Sequence, residues 1–396
     1  MRDKINICLL NDSFPPIIDG VSNATYNYAS VLHKMGNGVT VATPNSPGYV
    51  DNHQFSVVRY PSVNIKKIEH CRTGVPISFS ATREIVAGAP EIIHTHCPFV
   101  STLYGRVLRR FSGAPMIFTY HTKFDIDISK RIENPIARMA AIKLIVENAE
   151  SCDEIWTVSN GAGENLRSLG FRGDYKVMEN GVDFPLGLAP EAAVSALNRE
   201  YDLPEGVPVF LSVGRMLWYK GFRITLDGLA KAKARGARFR MIFVGDGVDF
   251  EEIKSYAGVL GLERECIFTG MVRDREKLRA FCTRSNMFLF PSTYDTNGIV
   301  VREAAACSLG SVLIRGSCAA EGAEDGVNSL LIEENSNSMC DAVMRIVKDG
   351  DLAKKIGGNA EKTLYISWES AVAKAHSRYL DILDERRRIA KFAANL

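Results

Sequence analysis

Short apolar runs bounded by turn residues recur along the whole chain, with room for one helix between most successive runs. In the first half they stand at 5–10, 38–42, 92–96, 116–120 and 154–158. In the second they stand at 209–213, 240–244, 266–268, 287–290 and 311–314. Between them, 21–35 has the apolar spacing of an amphipathic helix, 136–149 reads as another, and Ser159 is placed to cap a third. Strands joined through helices cannot pair as hairpins; they lie parallel, with the crossovers covering both faces of the sheet. The predicted fold class is therefore α/β, with two Rossmann-like halves. Three prolines and a polar helical segment between 189 and 208 place a linker near 184–205. They divide the chain into 1–188 and 189–368.

A chain of 396 residues is long enough for two such cores, and a net charge of +2 with 24% charged residues offers nothing that calls for nucleic acid. The nine cysteines are scattered and form no Cys-x-x-Cys pair, so free thiols in a reducing cytosol are expected rather than disulfides or zinc. The opening Met-Arg-Asp-Lys leads directly into a strand-like run without a signal-peptide apolar region. No apolar run approaches the roughly 18 residues that a membrane-crossing helix needs.

Residues able to do chemistry gather where strands end. After 287–290 the chain turns at Pro291, runs through Asp295, Thr296, Asn297 and Gly298, and becomes helical from Ile299, with Glu303 about a turn inside. Such a strand–turn–helix aims free backbone N–H groups and the helix dipole beyond the strand end, a site for phosphate or a polar sugar; Gly298 lets a ligand come close. After 209–213 the chain reads Gly214-Arg215 and then Lys220-Gly221. From one loop a planar guanidinium and a mobile ammonium can both reach a diphosphate. Gly245-Asp246-Gly247 follows the next strand, but Phe250 stands where a dinucleotide fingerprint needs its third glycine, so the motif reads as mainly a tight turn. In the first half, Gly20 lies in the first strand-to-helix loop, and His121 ends the strand at 116–120. His94 and His96 alternate on their own strand, and the three histidines lack zinc-ligand spacing. Asp125-x-Asp127 has the form of a metal motif, but Asp349-x-Asp351 repeats it, so 125–127 is read as loop residues or acceptor contacts.

These motifs together resemble the retaining glycosyltransferases of GT-B fold in glycosyltransferase family 4. The resemblance covers nearly the whole chain and is most specific in the second half. Asp295 and Glu303 match the family's two acids with seven residues between them, although Asp295 stands where Glu is usual. The resemblance implies two Rossmann-like domains facing a central cleft, with a terminal helix (369–396) crossing back to the first domain. It also implies a sugar-nucleotide donor, here a UDP-hexose, and no metal or other cofactor. In the family, Arg215 and Lys220 would bind the diphosphate, Glu303 the ribose, and Asp295 and His121 the transferred sugar. The Gly298-Ile299 backbone would touch sugar and phosphate, while Gly20, Gly214, Gly245 and Asn297 would complete the donor site. Retention is thought to proceed by same-face attack, the departing phosphate taking the acceptor's proton.

Asp19-Gly20-Val21 and the His-Thr-Lys-Phe stretch from His121 are similar to the branch that glycosylates diacylglycerol. That branch implies a lipid hydroxyl as acceptor and a cytoplasmic protein working at the inner face of the plasma membrane. Two stretches mix apolar and basic residues, 63–72 and 386–392, and either suits an anionic lipid surface or a solvated helix face. Glycan assembly on another acceptor, a non-catalytic sugar-nucleotide-binding module and a dehydrogenase are the rival readings. The missing glycine fingerprint disfavours the last.

Overall fold

The computed structural model describes residues 4–17, 19–64 and 72–394, without the side chains of residues 126, 127, 130 and 131. The chain forms two compact units, Met1–Asn180 with Trp368–Leu396, and Gly181–Ser367.

The first unit is built on a seven-stranded parallel sheet. Its strands are β1 (Asn6–Leu10), β2 (Gly38–Pro44), β3 (Ser56–Tyr60), β6 (Ile92–Thr95), β7 (Met116–Tyr120), β8 (Glu154–Thr157) and β9 (Tyr175–Val177), in the order β3-β2-β1-β6-β7-β8-β9. A small antiparallel ladder, β4 (Ser62–Asn64) with β5 (Arg72–Gly74), stands apart. The central strands are apolar along their length because helices cover both faces; all five residues of β7 are buried. Among those helices are α1 (Gly20–Lys34), α2 (Phe79–Ala87), α3 (Val100–Ser112), α4 (Phe124–Arg131), α5 (Pro135–Glu150) and α6 (Asn160–Ser168).

The last helix, Trp368–Ala394, belongs to this unit, as the sequence predicts. Tyr379 stacks on Trp156 with ring centroids 5.2 Å apart, and its hydroxyl lies 2.6 Å from Nδ1 of His94. Arg378 reaches Glu154 at 2.6 Å, and His376 meets Asn37 at 3.0 Å. A buried aromatic anchor and these buried or part-buried polar pairs make the helix part of the core rather than a tail.

The second unit has six parallel strands: β10 (Val209–Val213), β11 (Arg240–Val244), β12 (Cys266–Gly270), β13 (Met287–Phe290), β14 (Ser311–Ile314) and β15 (Ser329–Ile332). Their order is β12-β11-β10-β13-β14-β15. Its helices include α7 (Glu191–Glu200), α8 (Phe222–Ala234), α9 (Phe250–Val259), α10 (Arg275–Arg284) and α11 (Ile299–Ala306). In each sheet the strand order turns back at the first strand: β1 lies between β2 and β6, and β10 between β11 and β13. Loops on either side of such a reversal run apart at the carboxyl edge, which is where open parallel sheets take ligands.

The division differs from the sequence reading. Residues 181–188 go with the second unit: Val182 N–H donates to Ile366 O at 3.0 Å, Gly187 N–H to Ala306 O at 2.8 Å, and Phe184 is buried in the second core. Helix α7, read as part of a linker, buries Leu197 in the same core. The stretch at 65–71, within the basic-apolar segment read from the sequence, lies outside the described residues. No helix among the described residues is long and apolar enough to cross a membrane.

Candidate functional site

In the second unit, two backbone-to-backbone contacts shape the carboxyl edge. Gly245 has φ +139, and a Cβ there would lie 1.9 Å from the carbonyl oxygen of Gly214, itself at φ +151. The loops after β10 and β11 thus touch without side chains between them, joined by Gly214 N–H to Val244 O and Met216 N–H to Asp246 O, both 3.0 Å. Gly245 therefore has a packing reason to be glycine that needs no ligand. After the buried Met216, a short turn at Trp218–Lys220 ends at Gly221, with φ +86. A Cβ on Gly221 would meet Pro291 O at 2.2 Å, so this turn is pressed against the end of β13.

That contact delivers Lys220 to the acids. Its ammonium donates to Asp295 Oδ1 at 2.7 Å, and Ser292 Oγ donates to Asp295 Oδ2 at 2.5 Å. Asp295 is thereby held on both oxygens, with Lys220 only 12% exposed. Beyond it, Gly298 takes the left-handed conformation (φ +60) and caps α11, its backbone so close to Ala319 that a Cβ would lie 2.8 Å from that side chain. Buried Arg302 donates to Asn297 Oδ1 at 3.2 Å, while Asn297 Nδ2 is buried without a partner among the described residues. Glu303 accepts from Arg275 at 2.8 Å. Burial pushes the Glu303 carboxyl above the usual range; Arg275 opposes that and Asp183 adds to it.

The structure brings Lys220 and Asp295 into direct contact and places Asn297, Gly298, Ile299 and Glu303 along one turn-and-helix. It does not bring Arg215 to them: that side chain is exposed and makes no hydrogen bond or ion pair among the described residues. The partners Ser292 and Arg275 escaped the sequence reading, as did the pairing of Tyr219 with Tyr294, whose ring centroids are 4.5 Å apart. Each tyrosine directly precedes one member of the Lys220–Asp295 pair, which is the only signal the sequence carries for it.

The first unit presents its own edge. Asp19 caps α1, accepting from Val21 and Ser22 N–H at 2.9 and 2.8 Å, and a Cβ on Gly20 would meet nothing within 4 Å. His121 is buried at the end of β7 with Nε2 3.0 Å from Nδ1 of His96, and burial pulls it down to about 3, so it is neutral. His94 is taken up by Tyr379 and by Thr119, the latter at 2.7 Å. Asp12, not singled out from the sequence, accepts from Ser101 N–H at 2.6 Å at the start of α3, and burial pushes it up to about 6. Asp125 lies in helix α4 rather than in a loop, and its Oδ1 accepts from Asn165 at 3.2 Å. The side chain of Asp127 is outside the described residues. The basic-apolar stretch 386–392 borders a groove lined by Pro90, Phe111 and Pro115, at the amino ends of β6 and β7 and so at the opposite edge from Gly20 and His121.

Two family models divide the chain between them: "Glycosyltransferase Family 4" matches residues 18–184, and "Glycosyl transferases group 1" matches 195–363. An alpha-monoglucosyldiacylglycerol synthase of Streptococcus pneumoniae is 23% identical over 76% of this chain and 69% of its own. A GDP-mannose-dependent alpha-mannosyltransferase of Corynebacterium glutamicum is 24% identical over 97% of this chain and 91% of its own. Among solved structures, Anabaena HepE in complex with UDP-glucose superposes with a TM-score of 0.70 at 18% identity, covering 96% of this chain and 100% of that one. Two matched halves, each a doubly wound parallel sheet, agree with the motifs at their strand ends: the chain is a glycosyltransferase of family 4, with the GT-B fold.

Proposed function

We propose that the protein is a retaining hexosyltransferase that moves glucose from UDP-glucose to a hydroxyl of a membrane lipid such as diacylglycerol. The observation that carries the donor half is the 2.7 Å contact of Lys220 with Asp295 beside the amino end of α11. A cation for phosphate and an acid for sugar hydroxyls sit within one hydrogen bond of each other, next to unpaired backbone donors. In this reading Lys220, joined by the unengaged Arg215, binds the diphosphate, and Asp295 holds the sugar. Glu303 takes the ribose hydroxyls, while Asn297 and the Gly298-Ile299 backbone meet sugar and phosphate.

As the bond from the anomeric carbon to the diphosphate breaks, negative charge grows on the leaving oxygens. Lys220 and the helix-end N–H groups stabilise it more than they stabilise the ground state. The acceptor oxygen bonds to the anomeric carbon on the same face and gives its proton to the departing phosphate, so the chain supplies no nucleophile. Gly20 and His121 carry over from the family as contacts to donor phosphate or acceptor and to the transferred sugar. The lipid acceptor is supported by the Asp19-Gly20-Val21 sequence and by the alpha-monoglucosyldiacylglycerol synthase among the relatives. GDP-mannose is the second reading for the donor, favoured by the mannosyltransferase that aligns over 97% of the chain.

A product screen by mass spectrometry tests this. UDP-glucose, UDP-galactose and GDP-mannose are each offered with diacylglycerol vesicles and with soluble sugars. Glucosyl-diacylglycerol is the expected product. Transfer to soluble sugars alone would overturn the lipid acceptor, a mannosyl product the UDP donor, and nucleotide binding without any transfer the enzymatic role.

A further inference from the structure

Glu303 is the acid assigned to the ribose, and it is an awkward place for a charge. Its side chain is only 14% exposed, and burial works against ionisation. A neutral carboxyl would offer one donor and weaker acceptors, whereas two ribose hydroxyls call for a carboxylate that accepts both. Among the described residues one cation faces it: Arg275, the first residue of α10, whose Nη2 donates to Oε1 at 2.8 Å and leaves Oε2 without a partner. Arg275 is itself held by two further groups. Its guanidinium lies over the Phe184 ring, 4.3 Å from the centroid, and Nη2 is 3.9 Å from Asp183 Oδ2. Among the described residues Asp183 and Cys282 of α10 are the other groups that act on Glu303, neither of them cationic; Arg279 of α10 faces Cys307 at the end of α11 instead.

The geometry points to Arg275 as the positioning residue of the nucleotide site, holding Glu303 as an oriented carboxylate with Oε2 left for the ribose. The inference rests on the assignment of Glu303 to the ribose and adds to it the group that makes Glu303 competent. Asp183 plays the opposite part: its negative charge raises the proton affinity of Glu303 while it helps to place the guanidinium. In the purified protein, Arg275→Gln removes the one cation that faces Glu303 among the described residues, and the carboxyl then takes up a proton at higher pH.

Calorimetric titration with UDP, and with GDP in parallel, over about pH 5.5 to 8 reads this directly. The wild type sets the baseline, which carries the nucleotide's own terminal phosphate ionising at about pH 6. Arg275→Gln should bind less tightly at every pH and, relative to the wild type, lose up to about tenfold further for each pH unit below the new carboxyl pKa. Arg275→Lys, which keeps the charge without the fork, should restore the wild-type profile at reduced affinity. Parallel profiles for wild type and Arg275→Gln would overturn the inference, because a merely structural loss has no reason to follow pH. The parent assignment fails separately: it falls if Glu303→Gln binds both nucleotides as the wild type does, or if neither nucleotide binds the wild type, and the inference falls with it.

Discussion

Lys220 carries the most exposed claim at the level of single residues. Its ammonium donates to Asp295 at 2.7 Å, so a diphosphate bound as proposed would compete with Asp295 for it. Lys220→Ala should lower kcat by about 100-fold or more if the ammonium meets the leaving group. Arg387→Ala, at an exposed residue paired with Asp384, should leave kcat within about twofold. Equal losses in steady-state kinetics would remove Lys220 from the chemistry. Asp295 stands where the resembled family usually has Glu, and its two oxygens meet Lys220 and Ser292. Asp295→Glu should change the ratio of donors used in the same assay while leaving the fold intact.

At the level of loops and helices, two glycines separate packing from ligand approach. Gly221 sits at φ +86 with its missing Cβ aimed at Pro291 O, 2.2 Å away. Gly221→Ala should cost on the order of 1–3 kcal/mol through strain and a backbone clash, and should displace Lys220 with it. Gly20 opens α1 with empty space where a Cβ would be, so Gly20→Ala should leave the melting temperature unchanged or slightly raised. A loss of activity in that stable variant would report a ligand passing close to the Gly20 backbone; unchanged kinetics would make Gly20 an ordinary turn residue. Gly245 behaves like Gly221, since its contact with Gly214 accounts for it without a donor.

For the whole molecule, the clearest collective property is acid sensitivity from histidines buried in the first unit. Burial lowers His94, His96 and His121, the last to about 3, whereas the unfolded chain protonates them near about 6.5. The unfolded state therefore binds more protons below that pH. The stability these neutral rings allow is fully present above about pH 6.5 and drains away as pH falls toward the depressed native values. Asp12, raised to about 6, works the other way over part of the same range. His121→Gln should reduce proton uptake on unfolding at about pH 5.5 by roughly one, read from the slope of stability against pH. An unchanged slope would contradict the burial argument.

The alternation of apolar runs and helices, the punctuation by Gly and Pro, and the charged residues just past strand ends were all local, and local periodicity survives in any fold that keeps its strands buried. Hence the doubly wound units, the returning C-terminal helix and the loops bearing Lys220 and Asp295 could be read from the chain, while the short edge strand β9 and the unit boundary near Asn180 could not. Partners are a different matter. Lys220 finds Asp295 across 75 residues because β10 lies beside β13, and Arg275 finds Glu303 because α10 and α11 bracket β13 at the same edge. Strand order is chosen by the packing of whole sheets, not by any one segment, so charge pairing, burial and the shifted proton affinities of His121 and Glu303 came into being only when the chain had folded.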